Sequence, residues 1–222
     1  MAMATRRQAP ETKRRIPRQA RAAETAAAIL EGAAQILEAG GLSRFTTNAV
    51  AERAGVSIGT LYQYFADKNA ILLALAKQQV ELGLAEVGRA LKGEIDPTPA
   101  GRVRAMVRAM VHAFRGRLRA RKALMQGVLA QDLYGELMVP VVAFIARHGA
   151  LVGVAAQPVY AMLTPLQLFV MSRAMIGVVR AAVMEEQPFF KSRAFEDEVE
   201  QLELAYLGSI TKEAAAPSAA ER

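Results

Sequence analysis

The chain has 222 residues, of which 53% are hydrophobic and 22% charged, so it is long enough and apolar enough to bury a hydrophobic core. It contains no cysteine, which excludes thiolate nucleophiles, disulfide bonds and cysteine-ligated zinc. Its apolar runs, such as the eight residues 139–146, fall short of the roughly 20 that span a bilayer. No apolar segment of a secretory signal follows the basic N-terminus. We therefore expect a globular cytoplasmic protein without a membrane span.

The formal charge of +7 is concentrated at the N-terminus. Residues 1–22 contain seven Lys and Arg side chains and one Glu, and they account for +6 of the +7. Such an arm either only solubilises the chain or contacts nucleic-acid phosphates. Pro10 and Pro17 interrupt an amphipathic membrane helix there. We predict a flexible basic arm over residues 1–21.

The next two elements are predicted to be helices. In segment 22–40 the apolar residues recur every three or four positions, and Gly40 and Gly41 stand where a helix C-cap belongs. Thr46 and Thr47 then offer side-chain oxygens that can cap a second, short helix. The sequence therefore indicates two helices before residue 55.

A tight turn and two further helices follow. Gly55 ends the second helix in a position that tolerates positive φ, and Ser57 can cap a third helix that begins at Ile58. Asp67 can cap a fourth helix. That helix is expected to end before loop 93–99, whose Gly and two Pro residues stop a helix.

The second and third helices are predicted to pack together as a helix-turn-helix. Four apolar residues are expected to form the contact: Val50, Ala54, Val56 and Leu61. The first turn of the third helix then presents small and hydrogen-bonding groups outward, which suits a DNA major groove about 12 Å wide. Gly59 lets the backbone approach bases, Thr60 can contact a thymine methyl or a base edge, and Gln63 can pair with adenine.

Residues 54–68 resemble the DNA-binding segment of the tetracycline-repressor (TetR) family of bacterial regulators. That segment has the form Ala-Gly-Val-Ser-x-Gly-Thr-Leu-Tyr-x-Tyr-Phe-x-x-Lys, and the chain matches it throughout. The similarity extends over residues 22–75 and includes the Thr46-Thr47-Asn48 segment. It implies base contacts from Ile58, Gly59, Thr60 and Gln63. It implies phosphate contacts from Thr46, Thr47, Ser57, Tyr62, Tyr64 and Lys68, and Asn48 completes the predicted DNA-binding site.

One position departs from the family pattern. Many relatives with this segment have Arg after the Asn, whereas this chain has Ala49. A phosphate or base contact is therefore missing at Ala49, and the basic arm is our hypothesis for what compensates.

Beyond residue 100 the sequence shows helical periodicity without strand alternation. Helices are expected through residues 103–114 and at about 121–148, 164–187 and 191–213, with Gly127 and Gly135 as candidate breaks. The predicted fold is all-α. It combines a three-helix helix-turn-helix DNA-binding domain at 22–68, a helical effector-binding and dimerisation domain at 69–213 with a linking helix at 69–92, and a disordered tail at 214–222.

The resemblance assigns dimerisation and ligand binding to the helical body. The last two long helices are expected to pair with a partner's as a four-helix bundle, so that a homodimer binds a pseudo-palindromic operator. Small residues on one helix and an apolar set on the other fit this pairing: Leu166, Phe169, Val170, Arg173, Ala174, Gly177 and Ala181, and Phe195, Val199, Leu202, Leu204, Tyr206 and Leu207. A small effector is expected to contact Met106, Met110, Phe114, Met125, Leu129, Phe144 and Phe169, although such residues more often only fill a core.

No catalytic or metal-binding constellation is evident. His112 and His148 are the only histidines, and they do not stand at a metal-ligand spacing from acidic residues. Adjacent acidic residues such as Glu185 and Glu186 diverge on a helix and fit a solvated face. We therefore predict no enzyme activity, no metal and no cofactor, and a repressor that a small hydrophobic effector releases from double-stranded DNA. The alternatives are an activator, an effector-independent DNA-binding protein, and a helical enzyme or carrier for a hydrophobic compound.

Overall fold

The computed structural model describes residues 18–92, 96, 98–148 and 163–215. These residues form helices and turns without a strand, so the all-α prediction is confirmed. Two short 3₁₀ turns, Gly41–Arg44 and Pro188–Lys191, lie between helices. The α-helices of the described residues are α1 Arg18–Gly40, α2 Thr47–Ala54, α3 Ile58–Tyr64, α4 Lys68–Lys92, α5 Pro99–Phe114, α6 Leu118–Ala130, α7 Tyr134–His148, α8 Pro165–Met184 and α9 Arg193–Ala215.

Predicted boundaries differ from the structure at the basic arm, at the loop before α5 and at the tail, and by two or three residues at α6, α8 and α9. Helix α1 begins at Arg18, so the last four residues of the predicted arm, 18–21, form helix; residues 1–17 lie outside the described part. Pro99 starts α5 instead of belonging to the loop, because the first helical position needs no amide hydrogen, and the Thr98 side chain accepts from the Gly101 amide. Helix α9 continues to Ala215, and the rest of the predicted tail lies outside the described residues.

The predicted helix at 121–148 is broken, but at neither candidate glycine. The break falls between α6 and α7, where Asp132 adopts a left-handed φ of 56°, and the two helices are bent by 111°. Gly127 lies inside α6, where a Cβ would stand 3.1 Å from the Leu72 Cδ1 and 3.2 Å from the Leu42 Cδ2. Gly127 therefore serves close packing, and Gly135 lies in the first turn of α7.

One hydrophobic core joins the N-terminal helices to the body. Ile29, Val50 and Leu61 are fully buried at the meeting of α1, α2 and α3. Residues of α6, among them Leu124 and Val128, belong to the same buried cluster. The N-terminal helices therefore rest on the C-terminal body through the contact of α1 with α6.

A second core joins α5, α8 and α9. Val107, Met175 and Val179 are buried in it together with the rings of Phe190 and Phe195. Three of the α9 residues predicted to face a partner, Phe195, Val199 and Leu207, are instead buried in this core, because they share one face of α9. The exposed face of α9 contains Leu202, which is 47% exposed.

Helix α8 is the one described helix that by length and apolar composition alone could cross a membrane, apart from the bent pair of α6 and α7. It is also part of the second core through Met171, Met175 and Val179. Core helices of soluble proteins commonly pass the same test, so one such helix is weak evidence for a membrane span.

Candidate nucleic-acid interface and internal cavities

Side-chain caps and a glycine turn fix the geometry of α2 and α3. The Thr46 Oγ1 accepts from the Ala49 amide at 3.2 Å, and the Ser57 Oγ accepts from the Thr60 amide at 3.0 Å. Gly55 joins the two helices with a left-handed φ of 69°, which suits a residue without Cβ. The two helix caps and the glycine turn predicted from the sequence are therefore present in the structure.

One face of α3 is exposed along its whole length. Leu61 is fully buried and anchors the opposite face, while Tyr64 packs against the first core. Ile58 is 39% exposed and Tyr62 is 52% exposed, and Gly59 and Gln63 lie on the same side. Large apolar groups at the surface of a seven-residue helix mark this face as a candidate contact surface.

Gly59 has no structural reason to lack a side chain. A Cβ built on it would meet only the Ser57 Oγ, at 3.8 Å, and its φ is not left-handed. Helix propensity favours alanine over glycine there. The bare surface of the first turn of α3 is therefore not explained by the protein's own packing.

Hydroxyl groups border this exposed face. The Thr47 Oγ1 and the Tyr62 hydroxyl lie 3.3 Å apart, which links the start of α2 to α3. The Ser57 Oγ and Thr60 Oγ1 lie 2.8 Å apart. Asn48 and Lys68 are exposed near the starts of α2 and α4. Side chains of these types commonly donate hydrogen bonds to the phosphate oxygens of DNA.

Two adjoining cavities lie inside the C-terminal body. The first, of about 110 Å³, is lined by α4, α5, α6, α7 and α8, and we call it the arginine cavity because Arg121 and Arg180 line it. Burial lowers the pKa of Arg121, whose guanidinium lies 5.4 Å from the Phe114 ring centre. Arg180 stacks similarly on Tyr134 at 5.2 Å.

The second cavity, of about 90 Å³, is lined by α4, α5, α7, α8 and α9, and we call it the glutamate cavity because Glu203 lines it. Both cavities share four apolar lining residues: Leu84, Met110, Val141 and Ile176. A ligand with an apolar body fits such walls.

Part of the sequence and most of the fold are similar to known proteins. Residues 29–75 match the family model described as bacterial regulatory proteins, TetR family. This segment, which runs from α1 into α4, is therefore similar in sequence to TetR-family regulators. No curated protein matches the sequence significantly.

Solved structures share the TetR-like fold over most of the chain. A TetR-family transcriptional regulator from Streptomyces coelicolor is 22% identical, with 84% of this chain and 99% of that chain covered and a TM-score of 0.57. The fatty acid degradation regulator FadR from Bacillus halodurans is 18% identical, covers 86% and 97%, and has a TM-score of 0.63. The multidrug binding protein EbrR in complex with ethidium is 18% identical, covers 81% and 98%, and has a TM-score of 0.57.

In this TetR-like body the predicted ligand-contact residues fall into two groups. Five of them line the cavities: Met106, Met110, Phe114, Met125 and Phe144. Leu129 and Phe169 do not. Leu129 is 46% exposed at the end of α6, and Phe169 is 56% exposed on α8, where Arg173 stacks on its ring. Each lies on the outer face of its helix, which a count of apolar residues does not distinguish from the inner face.

Sequence reasoning did not identify the ionisable residues that line the two cavities, Arg121, Arg180 and Glu203. Glu203 was the most detectable, because it interrupts a strict four-residue spacing of buried apolar residues formed by Phe195, Val199 and Leu207. A charged residue inside such a stripe indicates a buried charge. The described residues contain no group of His, Asp and Glu that could hold a metal ion.

Proposed function

We propose that the protein is a repressor that binds a pseudo-palindromic operator as a homodimer in the bacterial cytoplasm and leaves it when a small, largely apolar effector binds the helical body. The main support for DNA recognition is the exposed face of α3. Gly59 lacks a side chain on this face although the fold has room for one. A side-chain-free first turn lets a recognition helix approach base edges closely.

The DNA contacts follow from this orientation. Ile58, Gly59 and Gln63 contact bases from the exposed face of α3, and the half-buried Thr60 contacts them from the edge of that face. Gln63 is the one suited to bidentate pairing with adenine. The surrounding set anchors phosphates: Thr46, Thr47, Asn48, Ser57, Tyr62, Tyr64 and Lys68. For Tyr64 packing is the larger role, because its ring lies against the first core.

The dimer forms through the outer faces of α8 and α9. Leu166, Phe169 and Val170 are 70%, 56% and 40% exposed on one side of α8, and Leu202 is exposed on α9. A Cβ on Gly177 would meet nothing within 4 Å, so a neighbouring helix has room to approach there. An apolar helical face of this kind is typical of a four-helix interface between two copies.

Helix α6 connects the effector to the DNA-binding helices. Met125 and Arg121 line the arginine cavity. On its other side the Glu38 carboxylate of α1 accepts from the Ala120 amide at 2.8 Å, and Arg117 forms a two-bond ion pair with Glu31 of α1 at 3.0 and 2.6 Å. A ligand that shifts α6 therefore shifts α1 and the spacing of the recognition helices. EbrR in complex with ethidium is a ligand-bound protein of similar fold and supports a binding role for this body.

Selection of binding sites from random duplex DNA tests the proposal. The purified full chain is expected to enrich a short inverted repeat, and Thr60→Ala and Gln63→Ala are each expected to relax the preference at particular positions, at a cost of about 1–3 kcal/mol for each lost base contact. Enrichment of no sequence, or identical motifs for all three proteins, contradicts the assignment of α3 as the reading helix.

The proposed dimer is tested by a charge on its interface. Leu166→Glu buries a carboxylate between two copies and is expected to weaken dimerisation at least about tenfold, because an unpaired buried charge is costly. Val139→Glu is the matched control, since Val139 is 67% exposed on α7, which is not part of the proposed interface. Sedimentation velocity measures both. A dimer that survives Leu166→Glu, or is lost equally with Val139→Glu, places the interface elsewhere.

A further inference from the structure

Glu203 is a carboxylate enclosed in an apolar cavity. Its side chain is 1% exposed, and neither carboxylate oxygen has a hydrogen-bond partner among the described residues. A buried charge without a partner is strongly disfavoured in proteins, so such a group is retained where something outside the fold pairs with it or where it remains protonated.

The other acidic residues on the inner side of α9 have arginine partners in α5 or directly after its end. Glu200 accepts two hydrogen bonds from the Arg104 guanidinium, at 2.9 and 2.8 Å, and Glu196 pairs with Arg115 and Arg108. Glu203, one turn beyond Glu200, faces the glutamate cavity instead. The chain therefore neutralises two of these three carboxylates and leaves the third at the ligand cavity.

No other group of the cavity wall supplies the missing charge. Among its described lining residues from α4, α5, α7, α8 and α9, only Glu203 is ionisable. Ser172 is the one other polar side chain, and its hydroxyl donates to the Phe169 carbonyl at 3.0 Å. Segment 149–162, which connects α7 to α8, contains no Lys, Arg or His. Among the described lining residues, the carboxylate is thus the only group that fixes the charge preference of this cavity.

We propose that the glutamate cavity binds the positively charged end of a small apolar organic cation, with Glu203 as its counter-ion. This inference rests on the proposed function, because it names the chemical class of the effector: an amine or quaternary ammonium compound with an apolar body. The apolar body contacts Met106, Met171 and Phe144, and the walls shared with the arginine cavity continue the apolar surface. Sulfur and aromatic faces are good neighbours of such a cation.

The cation and a proton compete for the same carboxylate. Burial raises the pKa of Glu203 to about 7, so the ligand-free protein holds a proton there in mildly acidic solution. Binding of a permanent cation expels that proton. Affinity is therefore expected to rise as the pH increases from 5.5 to 8, with proton release on binding in the lower part of this range.

Three probes with the same chain and different head charges test the inference: decyltrimethylammonium, decanol and decanoate, each below its micelle concentration. Isothermal titration calorimetry on the full chain without DNA is expected to show the cation binding at least about tenfold more tightly than decanol, and decanoate more weakly than either. Glu203→Gln is expected to abolish the preference for the cation and to leave decanol affinity unchanged. Glu200→Gln, the matched control one turn away, is expected to retain the preference.

Several outcomes overturn the inference. These are equal affinities for the three probes in the unmodified chain, a cation preference that persists in Glu203→Gln, an absence of binding by all three, and a cation affinity independent of pH in the unmodified chain. The pH series needs no variant, so it decides the question even if Glu203→Gln misfolds. Selection of binding sites on DNA is independent of these titrations. If the titrations fail, the proposal of DNA recognition is unaffected, and if the selection fails, the proposal of a cation site is unaffected.

Discussion

Replacing Gly59 with alanine is expected to weaken operator binding about tenfold or more while making the protein slightly more stable. The added methyl meets only the Ser57 Oγ in the free protein, at 3.8 Å, so the fold accommodates it. Alanine also stabilises a helix relative to glycine, by about 0.5 kcal/mol or more. On DNA the same methyl separates the first turn of α3 from the base edges, and a tenfold loss corresponds to about 1.4 kcal/mol. Fluorescence anisotropy with the selected duplex and urea unfolding measure the two effects.

Gly135→Ala is the matched control for this prediction. Gly135 is the second residue of α7, as Gly59 is of α3, and a Cβ there would meet nothing within 4 Å. The control is expected to gain similar stability and to bind the operator as the unmodified chain does. Unchanged operator affinity in Gly59→Ala would mean that DNA does not approach this turn.

Replacing Glu203 with glutamine is expected to stabilise the protein by about 3 kcal/mol at pH 8 and by far less at pH 5. Burial raises the pKa of the Glu203 carboxyl to about 7 in the folded protein, against an ordinary value of 4.5. Between these values the folded state holds a proton that the unfolded state releases, so stability falls as the pH rises from 4.5 to 7 and then levels off. Glutamine has no charge to bury and removes this loss. Urea unfolding at a series of pH values measures the difference.

Glu200→Gln gives the opposite sign and serves as the control. It breaks the two hydrogen bonds to Arg104 and leaves a guanidinium without its partner, so it is expected to destabilise the protein. If Glu203→Gln were no more stable than the unmodified chain at pH 8, Glu203 would already have a counter-charge in the free protein. The cavity would then not favour a cation.

The sequence could predict the helix-turn-helix well because its signals are local. Thr46 and Ser57 cap the helices they precede, and Gly55 has the left-handed φ that the turn requires. Each of these depends on three or four consecutive residues.

The helical body was harder to predict because its determinants are contacts between distant segments. Gly127 is one of two candidate helix breaks in the sequence, but it lies buried inside α6 because Leu42 and Leu72 pack against it. The actual break at Asp132 has no glycine to signal it. Leu129 and Phe169 were expected in the cavity, and only the orientation of α6 and α8 shows that they face outward.

The most direct test of the central claim, that the exposed face of α3 reads DNA sequence, is the specificity ratio at two salt concentrations. Anisotropy titrations compare the selected inverted repeat with a scrambled duplex of equal length and composition. The account predicts that absolute affinities fall with salt, because phosphate contacts release counterions, while the selected duplex remains at least about 10³-fold preferred. Equal affinity for the two duplexes, lost in parallel as salt increases, would contradict the account and reduce α3 to a structural helix.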